Sequence, residues 1–225
     1  MKRGFFITGT DTDVGKTTIA LGLMAALQEK GLSVAAMKPV SAGCAITSQG
    51  LRNEDALRLM QQASIQLPYE LVNPYAFEPP IAPHIAAAKV GIEMKIETLV
   101  DAYQQIARQA EVVIVEGAGG WLVPFNNTHT MADLAVALKL PVINVVGIRL
   151  GCLNHALLTE ASIRTHGLVQ AGWVANQLSS AMLSARNNID DLRQRLDAKL
   201  LGVLPFNEQA DINETTLHLS VGALL

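Results

Sequence analysis

The segment Gly9-Thr10-Asp11-Thr12-Asp13-Val14-Gly15-Lys16-Thr17-Thr18 constrains the fold more than any other part of the chain. It follows the apolar run Phe5-Phe6-Ile7 and opens an apolar helical pattern over 17–30 that stops at Gly31. A strand, a glycine-bounded loop and a helix in immediate succession make an anion cradle. The glycines let the backbone turn tightly, and the N–H groups at the helix N-terminus then face the anion. Lys16 adds a point charge for the outer phosphates, and the Thr17 hydroxyl suits Mg²⁺. The common phosphate-loop pattern has four residues between its glycines. Here Gly9 and Gly15 are five residues apart in the loop between them, so the loop is longer by one. A glycine turn with an incidental lysine is the alternative for this segment taken alone.

Short apolar runs at 4–8, 33–40, 112–116, 141–148, 169–176 and 200–205 are near-continuously apolar, as strands covered on both faces are. Helical patterns at 17–30, 95–110, 153–166 and 181–198 alternate with them. Ile96, Leu99, Val100, Tyr103, Ile106, Ala107 and Ala110 form one stripe of an outer helix. The alternation predicts an α/β fold with a mainly parallel sheet covered by helices on both faces, and the phosphate loop after the first strand makes the expectation a single P-loop NTPase-like domain over 1–225. Pro68, Pro74, Pro79, Pro80 and Pro83 interrupt this rhythm and predict a proline-rich lobe at about 66–92 lying on the sheet.

Composition narrows the functional classes. The 225 residues carry 17 Lys and Arg against 20 Asp and Glu, a net charge of −3, which lacks the basic excess of a nucleic-acid binder. Aromatic residues are only 4% of the chain, too few to suggest a base-stacking platform. No apolar run reaches transmembrane length, and the run after Lys2 and Arg3 is too brief for a signal-peptide core. Cys44 and Cys152 have no metal-type spacing. The expectation is a soluble cytoplasmic protein with neither nucleic acid nor membrane as partner.

Further candidates lie away from the loop. Glu116 ends the run at 112–116 and precedes Gly117-Ala118-Gly119, so in a parallel sheet it faces the crevice of the phosphate loop and is placed to bind Mg²⁺. Asp55 sits at a helix start, where the helix dipole alone explains an acid. Lys38 ends the second apolar run and reads equally as a crevice cation or as a snorkelling surface lysine. None of the five histidines pairs at metal-ligand spacing, and there is no Gly-x-Ser-x-Gly elbow, which points away from zinc and from a serine nucleophile.

With these residues in hand, the sequence resembles the dethiobiotin synthetase family over nearly its whole length. The resemblance rests on the longer loop from Thr8 to Thr17, Lys38-Pro39-Val40, Gly50-Leu51-Arg52-Asn53-Glu54-Asp55-Ala56, Asn73-Pro74-Tyr75 and Pro83-His84. It continues through Val115-Glu116-Gly117-Ala118-Gly119-Gly120-Trp121, Gly151-Cys152-Leu153-Asn154-His155-Ala156 and Gly172-Trp173-Val174-Ala175-Asn176. It implies an ATP-dependent ligase that carboxylates 7,8-diaminononanoate with CO₂ and closes the ureido ring of dethiobiotin in biotin synthesis. Asp13, Val14, Gly15, Lys16, Thr17 and Thr18 would bind ATP, with Thr17, Asp55 and Glu116 around Mg²⁺. Gly117, Ala118, Gly119, Asn176, Gln177, Pro205, Phe206 and Asn207 would complete the nucleotide site. Asn176 would read the adenine edge, although by itself it reads as a strand-ending turn residue. Lys16 and Lys38 would be catalytic. Thr12, Lys38, Ser41 and Ala42 would face the diamine, and Gly151, Cys152, Leu153 and Asn154 its carboxylate across a homodimer interface.

Two departures stand out. Ala42 and Ala82 occupy positions where the family commonly carries serine. The main alternative is a partitioning-type P-loop ATPase acting as a nucleotide-switched binding module. That class carries a signature lysine early in the loop, where this chain has Asp11.

Overall fold

The computed structural model describes residues 3–207 and 212–225. In chain order the elements are β1 (Arg3–Gly9), α1 (Lys16–Gln28), β2 (Val34–Met37), β3 (Val40–Ser41), β4 (Ala45–Thr47), β5 (Gly50–Arg52), α2 (Glu54–Gln62), α3 (Tyr69–Val72), β6 (Tyr75–Ala76) and α4 (Pro83–Lys89). They continue as α5 (Ile96–Ala107), β7 (Val112–Glu116), α6 (Met131–Leu138), β8 (Val142–Ile148), α7 (Cys152–Thr165), β9 (Gln170–Gln177), α8 (Ala185–Arg195), β10 (Leu200–Leu204) and α9 (Ile212–Leu217), closed by a 3-10 turn at Gly222–Leu224.

Among the described residues the central sheet has six strands in the order β10-β9-β8-β1-β7-β2, and every pairing is parallel. The near-continuous apolarity of the strands follows from burial on both faces. In β1 the side chains alternate. Phe5 and Ile7 pack with Ile19, Leu23 and Leu27 of α1. Phe6 packs with Leu99 and Ile106 of α5 and Leu134 and Leu138 of α6. Beyond them, Val146, Ile148 and Trp173 meet α7 and α8 through Ala156, Ile189 and Leu192. β1 lies between β7 and β8, so the chain leaves its C-terminal end at the point where the sheet's connections diverge, the place where parallel α/β sheets bind ligands. Helix α1 ends as its sequence indicates, with Gly31 at φ +81° after the last turn.

Three expectations are corrected. The run at 33–40 is not one strand. Pro39 has no N–H for the ladder, so β2 stops at Met37, and β3 pairs instead with β6 through Val40 and Tyr75. The helix expected over 181–198 spans only Ala185–Arg195, with Ser184 at φ +60° before it. Helix α6 appears where no helix was expected. Its start carries a capping box, with the Thr130 N–H and hydroxyl both donating to Asp133. Between 66 and 92 the structure has only short elements, whose Val72, Phe77 and Ala86 join the core of Phe6.

Candidate active site

The site begins with the loop that joins β1 to α1. Gly15 caps α1 at φ +90°, and a Cβ there would stand 2.3 Å from Asn176 Nδ2, so only glycine fits. Asn176 Nδ2 donates to the Val14 carbonyl at 2.9 Å and ties the loop to β9. Asn176 therefore lies within the strand and bonds the loop, rather than ending the strand as a turn residue. Val14 is fully buried and anchors the loop in the core of α1. Among the described residues no side chain caps α1, which leaves the N–H groups of its first turn open to an anion. Lys16 is buried with Nζ donating to the Asp11 carbonyl at 3.0 Å. Burial, and then the neighbouring Lys38 ammonium, lower the Lys16 pKa to about 8. An anion beside it would restore the charge.

Sheet register supplies the second half. β2 pairs with β7 with Met37 opposite Val115, which sets Lys38 beside Glu116. Lys38 is only 5% exposed, which removes the surface-lysine alternative. Its Nζ donates to Glu116 Oε1 at 2.5 Å and to Asp55 Oδ2 at 3.1 Å. Burial by itself would lower the Lys38 pKa, but Glu116 and Asp55 outweigh it and hold the ammonium above the usual lysine value. Asp55 shows the mirror effect: burial raises it, and the Lys38 charge overcomes that and lowers it. Thr17 Oγ1 also donates to Glu116 Oε1, at 2.9 Å, whereas the buried Oε2 has no hydrogen-bond partner among the described residues. Helix α2 presents Asp55 because the Asn53 side chain caps it, accepting from the Ala56 N–H at 3.1 Å.

These groups border a cavity of about 860 Å³. Of the sequence candidates, Thr12, Asp13, Gly15, Lys16, Thr17, Thr18, Lys38, Ser41, Ala42, Asp55, Glu116, Ala118 and Gly119 line it. Val14, Gly117, Asn176, Gln177, Pro205, Phe206 and Asn207 do not. Asn176 and Leu204 are partners at the same sheet edge, so Gln177 and Pro205 flank the other side of the loop. The continuation of that segment through 208–211 lies outside the described residues. Gly151, Cys152, Leu153 and Asn154 open α7 and are likewise apart from the cavity. The Ser41 hydroxyl is already committed, donating to Asn73 Oδ1 at 2.7 Å. Sequence reasoning missed Arg58, Asn53, Pro80, Ile81, Pro83 and Val123 as lining residues. Arg58 was findable, since it stands one helical turn after Asp55 on α2. The carbonyl and carboxylate chemistry here is hard-oxygen, and among the described residues no group of three or more His, Cys, Asp or Glu side chains converges as a metal site. Nor is any helix among them long and apolar enough to cross a membrane.

Comparison with known proteins agrees with this geometry. A family model described as an AAA domain matches residues 3–213. Among solved structures, the MinC:MinD cell division complex of Aquifex aeolicus aligns with TM-score 0.58 at 15% identity, covering 97% of this chain and 87% of that one. A ParA family ATPase from Chlorobium tepidum gives TM-score 0.58 at 17% identity, covering 96% and 90%. At such identities these establish the P-loop NTPase fold alone. Sequence relatives are much nearer. The ATP-dependent dethiobiotin synthetase of Cellvibrio japonicus is 50% identical over 224 residues, covering 100% of this chain and 98% of that protein. The Aeromonas hydrophila enzyme of the same description is 52% identical over 207 residues, 92% of each. About half the residues are shared over nearly the full length of both proteins, and the chain belongs to the ATP-dependent dethiobiotin synthetase family.

Proposed function

We propose that this protein uses ATP and CO₂ to close the ureido ring of dethiobiotin on 7,8-diaminononanoate, releasing ADP and phosphate. The observation that carries the reading is the buried Lys38 ammonium, 2.5 Å from Glu116 and 3.1 Å from Asp55, in the cavity into which the phosphate loop opens. Family membership supplies the diamine.

The donor set fits Mg²⁺: Thr17, Asp55 and Glu116 offer hard oxygens, and Glu116 Oε2 is buried with no partner among the described residues. When bound, the ion offsets charge on the transferring phosphoryl group. The open N–H groups of α1 and Lys16 hold the terminal phosphates of ATP. One amine of the diamine bonds to CO₂ and loses a proton, giving a carbamate. A carbamate oxygen takes the γ-phosphoryl group as its bond to ADP breaks. The second amine then attacks the carbonyl carbon and loses a proton as phosphate leaves, and the ring closes. Lys38 serves as a fixed cation facing the carbamate, and no side chain forms a covalent bond with the substrate. Thr12, Ser41 and Ala42 border the diamine, with a wall from the proline-rich lobe, where Pro80, Ile81, Ala82 and Pro83 reach the cavity. Asn176, Gln177, Pro205, Phe206 and Asn207 take the base. The N-terminus of α7, with Gly151, Cys152, Leu153 and Asn154, receives the substrate carboxylate of a partner copy in a homodimer. Its separation from the cavity of its own chain and the 96% exposure of Leu150 beside it support that placement.

The test is incubation with Mg-ATP, labelled bicarbonate and the diamine, with ADP and acid-stable label measured together. Equal amounts of both are expected. ADP release that ignores the diamine and fixes no label would overturn the reading.

A further inference from the structure

Asn73, Tyr69 and Asn53 form a buried polar chain that the phosphate chemistry does not use, and both of its ends reach cavity residues. Asn73 Oδ1 accepts from the Ser41 hydroxyl at 2.7 Å and from the Tyr69 hydroxyl at 2.8 Å. Its Nδ2 donates to the Lys38 carbonyl at 2.6 Å and to the Tyr75 carbonyl at 3.4 Å. Two hydroxyl donors on one side and two carbonyl acceptors on the other fix the amide's orientation and use both of its ends. An aspartate here would set oxygen against two carbonyls, and a leucine would leave the partners unpaired. The Lys38 N–H is held as well, donating to the Val72 carbonyl at 2.8 Å.

From Tyr69 the chain runs on. Its hydroxyl accepts from the Asn53 N–H at 2.7 Å, and Asn53 in turn caps α2. The first turn of α2 carries Asp55, whose carboxylate meets Lys38 Nζ. The circuit therefore closes: Lys38, Asn73, Tyr69, Asn53, the cap of α2, Asp55, and Lys38 again. One end of Lys38 is fixed by Asn73 at its backbone and the other by Asp55 at its ammonium, and the same network sets both.

We propose that Asn73 is a positioning residue for ring closure, which sets where the Lys38 ammonium stands relative to Asp55 and Glu116. It rests on the ring-closing reading above. Small displacements of a catalytic group lower turnover without weakening binding in proportion.

The experiment measures kcat and KM for the diamine, and the Kd for ADP, in Asn73→Ala and Tyr69→Phe, with rates expressed per folded molecule counted by ADP-binding stoichiometry. Tyr69→Phe keeps the ring beneath the Arg52 guanidinium, 4.0 Å away, and deletes only the bridging oxygen. In Asn73→Ala, kcat is expected to fall on the order of 10- to 100-fold, with Tyr69→Phe lower in the same direction. The Kd for ADP should stay within about twofold, because the phosphate loop belongs to β1 and α1. A merely structural role would lower the melting temperature and leave kcat per folded molecule unchanged. If Asn73→Ala does not fold, Tyr69→Phe decides. A kcat within about twofold of the parent in Tyr69→Phe, or in folded Asn73→Ala, overturns the proposal. A parent protein that fixes no label is instead a failure of the ring-closing reading.

Discussion

Lys38→Met tests the physical basis of the site directly. It removes the charge and keeps an unbranched apolar stem in a position that is 5% exposed. Among the described residues, Glu116, at 1% exposure, then retains only the Thr17 hydroxyl on Oε1, with Oε2 already unpartnered. Stripping one member from a buried ion pair costs about 3–5 kcal/mol, because the remaining charge stays desolvated. In a protein of this size that lowers Tm by on the order of 10 °C. Glu116→Gln is milder, about 1–3 kcal/mol, since Lys38 keeps Asp55 at 3.1 Å. The double variant buries neither charge and should cost less than the sum by about 2 kcal/mol or more. Urea unfolding near neutral pH, in EDTA and without nucleotide, measures the cycle. Adding Mg²⁺ should stabilise Lys38→Met more than the parent, because the carboxylates no longer hold an ammonium. The reasoning is refuted if Lys38→Met unfolds within about 1 kcal/mol of the parent and the cycle is additive within about 0.5 kcal/mol.

Other outcomes follow from the same geometry. The Lys16 pKa of about 8 leaves the free site near half-protonated at pH 8, so ADP binding should take up about 0.5 proton there, read by calorimetry in buffers of different ionisation enthalpy. Lys16→Met should abolish the uptake, and an unchanged uptake assigns it elsewhere. The sign for stability follows: the folded-state pKa lies below the unfolded one, so the nucleotide-free protein gains stability from Lys16 as pH rises from about 8 towards 10.5. Gly15→Ala puts a Cβ 2.3 Å from Asn176 Nδ2 at φ +90° and should weaken ATP binding at least about tenfold, measured as a Kd. Normal affinity would mean the loop readjusts freely. Ala42→Ser places a hydroxyl in the cavity wall, and a hydrogen bond to a charged amine or carbamate should lower the diamine KM roughly tenfold. An unchanged KM argues against contact at that position.

The parts of this protein legible in its sequence are those whose signals are local. The loop between Gly9 and Thr18 combines glycine spacing, a lysine and a helix start within one stretch of chain, and the structure puts it between β1 and α1. The runs at 112–116, 141–148, 169–176 and 200–205 appear as β7, β8, β9 and β10 within a residue or two, because burial on both faces leaves an unbroken apolar signature. The short helices α3 and α4 escaped, since prolines mask a period that lasts only a turn or two. Asn73 was visible as part of Asn73-Pro74-Tyr75, yet nothing in that tripeptide tells what its amide binds.

Sequence by itself settled the α/β class, the phosphate loop and the family resemblance, because each depends on residues adjacent in the chain or on a fixed period. It left Lys38 divided between a surface lysine and a crevice cation, and favoured the helix dipole as the reason for Asp55. Only the tertiary structure decided both. Lys38 and Glu116 are 78 positions apart, and the register that sets Met37 opposite Val115 brings them into contact. That register is chosen by packing along the whole of β2 and β7, which no local pattern around either residue encodes.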